Sequence, residues 1–514
     1  MKNWYSIIIA LLLGIIAYNE FSREDKQVMV SVVKQSPHKL NKKHKSNYLG
    51  NMRSEAHQDI SQEAEIRYEK LLKLKYTADL AMFEKLAPRY DVEILFVVTG
   101  IHVVKILYRS EDLLEELFSL LPGIQPIQNN PKFKFPPPLK APVDKGFHRG
   151  LTSWYKLEPD DKAGDKIIIA VLDSGVIDLP QFKNKVTHID LIKDGSTITH
   201  NHGTAVASVI LGGTKKVKGF APAATILDIR VMSNAGIGDG LTIAQGIVTA
   251  TDLGASVINL SIGSPDPSPI LAAAIEYAFA ANVIIVAAVG NEGADKVSFP
   301  AAYDGVIGVA AIDEFGNHQT FSNKGEQVDM AAPGLSVPVL GLNGEELLKS
   351  GTSFSCPQVA GAIADLLSHP SDYGGLDPIQ IVTKNLNDAG APGNDTLYGD
   401  GILNLERIKQ DDGVYDLAVS GCNLKAQSGY YELTVSGENR GSRMIKSAQM
   451  TVRINQKTQQ FYFRNIAISE TFYETIQLSS PQSSNPITIN VSVKADFIDD
   501  VRPDNNNKKF SISQ

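Results

Sequence analysis

The 514 residues include 49 basic and 57 acidic side chains, for a net charge of -8, and are 43% hydrophobic and 21% charged. This composition excludes wholesale disorder and a multi-span membrane protein, and its mild acidity offers no global attraction to nucleic acid, so no nucleic-acid partner is expected. The length predicts two to four domains, and the two cysteines, Cys356 and Cys422, are too few for a disulfide framework and read as free thiols.

After Met1-Lys2-Asn3 an apolar stretch runs from Trp4 to Tyr18. A positive start and a short apolar core predict an export segment over residues 1–20. The run is short for a membrane span, which needs about 20 apolar residues, but no small-x-small cleavage site follows it. A cleaved signal and a retained N-terminal anchor are both open, and the expected location is secreted or periplasmic. Residues 21–60 are polar, and their lysines Lys34, Lys39, Lys42, Lys43 and Lys45 read as part of a solvated tether.

Residues 61–130 predict a small α+β unit. From about 54 to 87 an amphipathic pattern, with Ile66, Leu71, Leu72, Leu74, Leu80, Met82 and Leu86 among charges, predicts one or two helices. Strands follow over 93–98 and 103–108, with a turn at Thr99-Gly100. Ser110 is the expected N-cap of a helix through Leu121, and 123–127 reads as a returning strand. Pro131, Pro136, Pro137, Pro138 and Pro142 mark 131–160 as a stiff linker.

Over 161–410 apolar runs at Ile167–Leu172, Thr225–Val231, Ser256–Leu260 and Val283–Ala288 alternate with helical segments. That alternation predicts an α/β domain, a mainly parallel sheet with helices on both faces, whose ligands gather at the carboxyl ends of strands. From 411 to 514 the pattern changes to period two, as in Ile487-Thr488-Ile489-Asn490-Val491, and predicts an all-β sandwich.

Four motifs in the α/β region fall at strand ends or helix starts. Asp173 follows the first apolar run and by itself could be a turn residue. His202, in His202-Gly203-Thr204, opens a helical segment and by itself could be a cap. Asn291 follows another apolar run, and its amide could donate to an oxyanion. Ser353, in Ser350-Gly351-Thr352-Ser353, stands at a glycine-preceded helix start, where N–H groups and the helix dipole favour an oxyanion, although it could be only an N-cap. Cys356 reads as a small buried apolar residue rather than a redox centre.

Together, in the order Asp, His, Asn, Ser, the four resemble the subtilisin family of serine proteases. The resemblance covers about residues 165–405 and includes Gly219-Phe220-Ala221-Pro222, Val257-Ile258-Asn259-Leu260-Ser261-Ile262-Gly263 and Ala331-Ala332-Pro333-Gly334. It implies a subtilisin-like fold and hydrolysis of protein or peptide substrates through an acyl-enzyme. Ser353 would be the nucleophile, His202 the general base and acid, Asp173 its orienting partner and Asn291 the oxyanion donor. Ser261, Ile262 and Gly263 would pair with an extended substrate. Ala287, Ala288, Val289 and Gly290 would wall the pocket for the residue before the cut, with room for bulky apolar side chains. Gln358 departs from the family pattern, in which many members carry histidine.

The resemblance also implies that the preceding α+β unit is a propeptide acting as an intramolecular inhibitor, removed near the proline-rich linker. The terminal domain is similar to CARDB-like β-sandwich modules and would meet a surface or cell-envelope partner. No cofactor is implied for the chemistry. The acids Asp499, Asp500 and Asp504 read as a solvated turn, with structural calcium as the alternative. A non-catalytic binding protein on a protease-like scaffold is the competing reading; the presence of all four residues speaks against it.

Overall fold

The computed structural model describes residues 68–135, 155, 160–373, 375–409, 413–455, 457–479, 487–496 and 500–512. The predicted export segment and tether, and most of the proline-rich stretch, lie outside the described residues.

The first described unit contains Tyr68–Leu74 (β1), Thr77–Leu86 (α1), Val92–Val98 (β2), Val103–Tyr108 (β3), Glu111–Leu120 (α2) and Ile124–Ile127 (β4). Its antiparallel sheet has the order β2-β3-β1-β4. Ser110 caps α2 through its hydroxyl, which accepts from the Leu113 N–H, and Glu111 and Asp112 follow in the first turn, where the helix dipole favours acids. β1 corrects the helical expectation for that stretch. Leu72 and Leu74 face the unit's own core, whereas Leu71 joins the core of the following domain. A strand buried on both faces lacks the alternation that announces strands.

Lys132–Lys134 (β5) is a strand where the sequence predicts the start of a linker. Its partner lies about a hundred residues downstream, out of reach of any local pattern.

The next domain contains Ile168–Asp173 (β6), Val186–Asp190 (β7), His202–Leu211 (α3), Thr225–Arg230 (β8), Ile237–Asp239 (β9), Gly240–Asp252 (α4), Val257–Leu260 (β10) and Pro269–Ala280 (α5). Ile284–Ala288 (β11), Ile307–Ile312 (β12), Met330–Pro333 (β13), the hairpin Val337–Leu340 (β14) and Glu346–Lys349 (β15), Thr352–Ser368 (α6), Pro378–Lys384 (α7) and Leu405–Ile408 (α8) follow. Seven strands form a parallel sheet in the order β13-β12-β11-β10-β6-β8-β7. In β6, Ile169 and Val171 pack with α3 and α6 on one face, while Ala170 and Leu172 pack with α4 and α5 on the other. Burial on both faces explains the continuous apolar runs. The chain leaves β6 in both directions across the sheet, and the crevice at that switch point lies where β6 and β10 end.

On β7, His188 Nδ1 is 2.8 Å from Oδ2 of buried Asp228, and its Nε2 is 3.1 Å from Asp178 Oδ1. The hydrogen bond to Asp228 raises the His188 pKa from 6.5 to about 9 against its partial burial, helped by the bond to Asp178. A histidine whose folded pKa exceeds its unfolded value stabilises the fold fully below the unfolded value of about 6.5 and loses that contribution as pH rises through about 9. The melting temperature is therefore expected to fall between pH 6.5 and 9. In His188→Gln this part of the slope should vanish, which calorimetry at a series of pH values would read.

The C-terminal region has two antiparallel sheets, Leu417–Gln427 (β16), Tyr430–Asn439 (β17) and Thr471–Ser479 (β20) in one, and Ile445–Ile454 (β18), Lys457–Ile466 (β19), Ile487–Ala495 (β21) and Asn507–Ile512 (β22) in the other. Leu433 and Val435 from one and Met450, Val452 and Val491 from the other share one core. At the junction with the α/β domain, Glu438 of β17 is buried and pairs with Arg407 of α8 and with Arg440. Arg407 also donates to the Leu386 carbonyl and to Ser469 Oγ.

Candidate active site

Asp173 closes β6 with its carboxylate fully buried, and both of its oxygens lie 2.9 Å from His202 Nδ1. A carboxylate only accepts, so Nδ1 carries the proton and Nε2 is left as the basic nitrogen. Asp173 Oδ1 also accepts from the Ser174 N–H at 2.7 Å. The Ser174 hydroxyl accepts from the Gly203 N–H, tying the end of β6 to the start of α3.

Ser353 is the second residue of α6, entered through Gly351 at φ 143, a conformation that favours glycine. A side chain at Gly351 would also meet Asn291 Nδ2 at 2.8 Å. The Ser353 hydroxyl donates to the Ser261 carbonyl at 3.2 Å, and the Ser261 hydroxyl returns a bond to the Ser353 carbonyl at 2.9 Å. Pro357, inside the helix, has no N–H for that carbonyl, so Ser261 satisfies the acceptor that proline leaves open. The Phe354 ring lies 5.7 Å from the His202 ring, which places the turn bearing Ser353 beside the imidazole. Asn291, almost wholly buried, accepts from the Thr352 N–H at 2.9 Å and the Thr352 hydroxyl at 2.8 Å through Oδ1. Its orientation is thereby fixed, with the NH2 end left to donate.

Ser261, Ile262 and Gly263 continue from β10, and Ile262 is buried in the core. Gly263 exchanges two backbone hydrogen bonds with Lys134, at 3.0 and 3.2 Å, while β5 pairs on its other side with β9. Residues 132–134 therefore lie as an inserted strand between Ile237–Asp239 and Gly263. Phe135 continues it, stacked on the His202 ring at a centroid distance of 4.1 Å. Ala287 and Ala288 end β11, and they and Val289 are buried, with Gly290 turning at φ 107.

Gln358, flagged by its departure from the family pattern, is fully buried and hydrogen-bonded to Tyr155, to the Pro333 carbonyl and to the Phe354 carbonyl. It braces the helix beneath Ser353. Cys356 is fully buried with Sγ 3.2 Å from Asn259 Oδ1, and burial pushes its thiol up, which suits the structural reading over a redox role. Asp500 accepts from the Leu417 and Arg502 N–H groups, as a turn acid does, and Asp499 lies outside the described residues. Asp160, Asp365 and His369 bring metal-ligand-type atoms within 4.8 Å of one another. Lys409 Nζ stands 2.8 Å from Asp365 there and already supplies a cation.

Sequence reasoning missed the strand at 132–134, Phe135 and His200. The last had a signal, since it sits two residues before His202 in His200-Asn201-His202.

Residues 164–401 match the sequence profile of the subtilase family. Subtilisin DY of Bacillus licheniformis is 32% identical over 271 residues, 50% of this chain and 95% of that protein. Subtilisin Savinase of Lederbergia lenta is 35% identical over 246 residues, 47% of this chain and 90% of its own. Among solved structures, fervidolysin from Fervidobacterium pennivorans, a keratinolytic enzyme related to subtilisin, aligns over 88% of this chain and 91% of its own with a TM-score of 0.55. At 18% identity that is a likeness of fold, and it reaches well beyond residues 164–401.

Proposed function

Because this chain belongs to the subtilase family and is a serine endopeptidase, we propose that its chemistry runs on Ser353, His202, Asp173 and Asn291. The observation that carries the assignment is the buried Asp173 carboxylate bound to His202 Nδ1 beside the N-terminus of the Ser353 helix. For attack, the Ser353 hydroxyl turns from the Ser261 carbonyl to His202 Nε2, which takes its proton as Oγ bonds to the substrate carbonyl carbon. Asp173 holds the tautomer and stabilises the imidazolium. Negative charge on the carbonyl oxygen meets the Asn291 NH2 and the Ser353 N–H at the positive end of α6. His202 then gives its proton to the leaving amine, and water repeats the sequence on the acyl-enzyme.

A fluorophosphonate probe should label Ser353, located by mass spectrometry of the labelled peptide; failure to label after activation would overturn the assignment. Asn291→Ala should lower kcat about a hundredfold, the order found for this donor within the family itself. KM should change little, because the oxyanion exists only along the reaction path. An unchanged kcat would remove Asn291 from the oxyanion site.

Ser261, Ile262 and Gly263 are proposed as the strand that pairs with substrate, supported by the Lys134–Gly263 exchange. Ala287, Ala288, Val289 and Gly290 are proposed as the wall of a pocket that accepts a bulky apolar side chain. Residues 61–130 are proposed as an inhibitory propeptide. The contacts of Leu71, Val98 and Ile101 with the α4 and α5 core and the Asn130 side chain accepting from the Leu241 N–H at the start of α4 support that role. Removal would fall within 131–160, releasing a peptidase of residues 161–410 that carries a CARDB-like accessory domain, 411–514, for a surface partner. Residues 1–20 would direct export, with 21–60 as tether. Sequencing the mature N-terminus tests both cuts.

A further inference from the structure

Phe135 stands in the cleft with more around it than the active-site imidazole. Its ring stacks on His200 at 4.8 Å with the planes 20° apart, and on His202 at 4.1 Å with the planes 28° apart. The third wall is Gly236, whose carbonyl accepts from the Phe135 N–H at 3.2 Å. A methyl group at Gly236 would approach the Phe135 ring to 2.8 Å, so the absence of a side chain there makes room for the aromatic. The His200 ring is held by the His202 N–H, which donates to its Nδ1 at 3.3 Å, and its carbonyl lies 3.2 Å from the Ser174 hydroxyl. Burial, and then the neighbouring His202, hold the His200 pKa below its ordinary value, which favours an uncharged, stackable ring.

The register places this slot. Lys134 pairs with Gly263 in antiparallel fashion, so a substrate in the same register would set the residue after the Phe135 position opposite Ser261. The Ser261 carbonyl is 3.2 Å from Ser353 Oγ, so the Phe135 position is one residue upstream of the residue presented to the nucleophile.

We infer that His200 is a specificity-determining residue which, with His202 and Gly236, forms an aromatic slot selecting substrates with Phe, Tyr or Trp at the Phe135 position. The inference rests on the reading of Ser261–Gly263 as the substrate-pairing strand. His200 touches no reacting atom in this role; it stacks on the substrate side chain. Lys134, between the two phenylalanines, is exposed, so the residue in the middle is free to vary. Phe133 is fully buried in a separate position, which provides an internal control.

The test uses the full-length protein after casein hydrolysis has reached a steady rate, with fluorogenic peptides carrying Phe-Lys-Phe, Phe-Lys-Ala or Ala-Lys-Phe before a constant residue at the cut. In the native enzyme, Ala at the Phe135 position should lower kcat/KM about tenfold. His200→Ala should shrink that ratio to about twofold while leaving the ratio at the Phe133 position unchanged, and His200→Phe should restore the preference. An undiminished preference in His200→Ala would overturn the assignment of His200, as would its loss at both positions together. Gly263→Pro, which removes the pairing N–H, separates the two levels: if kcat/KM for all three peptides survives that change, the strand-pairing reading has failed rather than the slot.

Discussion

Ser353→Ala is expected to lower kcat by about a millionfold, the loss recorded for the same deletion in subtilisin itself. Without an Oγ no acyl-enzyme forms, and the surviving rate comes from water attacking a carbonyl still polarised by Asn291 and the start of α6. KM should hold within a few-fold, because the proposed substrate strand at Ser261–Gly263 and the proposed pocket wall at Ala287–Gly290 do not depend on the hydroxyl. The lost bond to the Ser261 carbonyl is a single neutral contact of about 1 kcal/mol. The melting temperature should therefore move only slightly, and a folded, inert variant is the expected result. Initial rates on casein and thermal unfolding, measured on the same preparation, check both halves. Comparable hydrolysis by variant and native protein would place the nucleophile elsewhere.

Glu438→Ala is expected to destabilise the protein by about 3–5 kcal/mol without touching the cleft. Glu438 and Arg407 are both almost wholly buried, and Arg440 shares the carboxylate. Removing the acid strands a guanidinium in a low-dielectric junction with only the Leu386 carbonyl and Ser469 Oγ as partners. Neither carries a compensating charge. Glu438→Gln keeps the shape and one acceptor, so it should cost less. Denaturant unfolding should show the C-terminal sheets and the α/β domain losing stability together, because the pair links them. A change below about 0.5 kcal/mol, ordinary for a surface site, would show that the pair contributes little to the junction.

The parallel sheet was legible through β6, β8, β10 and β11, which are largely buried and read as continuous apolar runs, whereas β7 is largely exposed and carries no such run. Asp173, His202, Asn291 and Ser353 were visible as strand ends and helix starts, and the fold brings the first two into direct contact. β1 was misread because Leu71 and Leu72 serve opposite cores, a division set by a partner domain rather than by period. Lys132–Lys134 looked like a linker for the same kind of reason. Three residues flanked by proline carry no strand signal, and their partners at Ile237–Asp239 and Gly263 are far off in sequence. The Ser261 hydroxyl could not be foreseen as the partner of the carbonyl left open by Pro357, since that pairing exists only once β10 and α6 meet.

The strand at 132–134 has a consequence for any measurement made on the uncut chain. A segment joined covalently to the site it occupies competes at an effective concentration set by the length and stiffness of its connection. A peptide or inhibitor added from outside meets a site that is vacant for only a fraction of the time, and its apparent Kd is the intrinsic value divided by that fraction. Affinities read on the intact protein thus combine the fit of the added molecule with the ease of expelling Phe133 and Phe135. Two inhibitors would keep their rank order while both appeared weak, and cutting the chain would tighten both by the same factor.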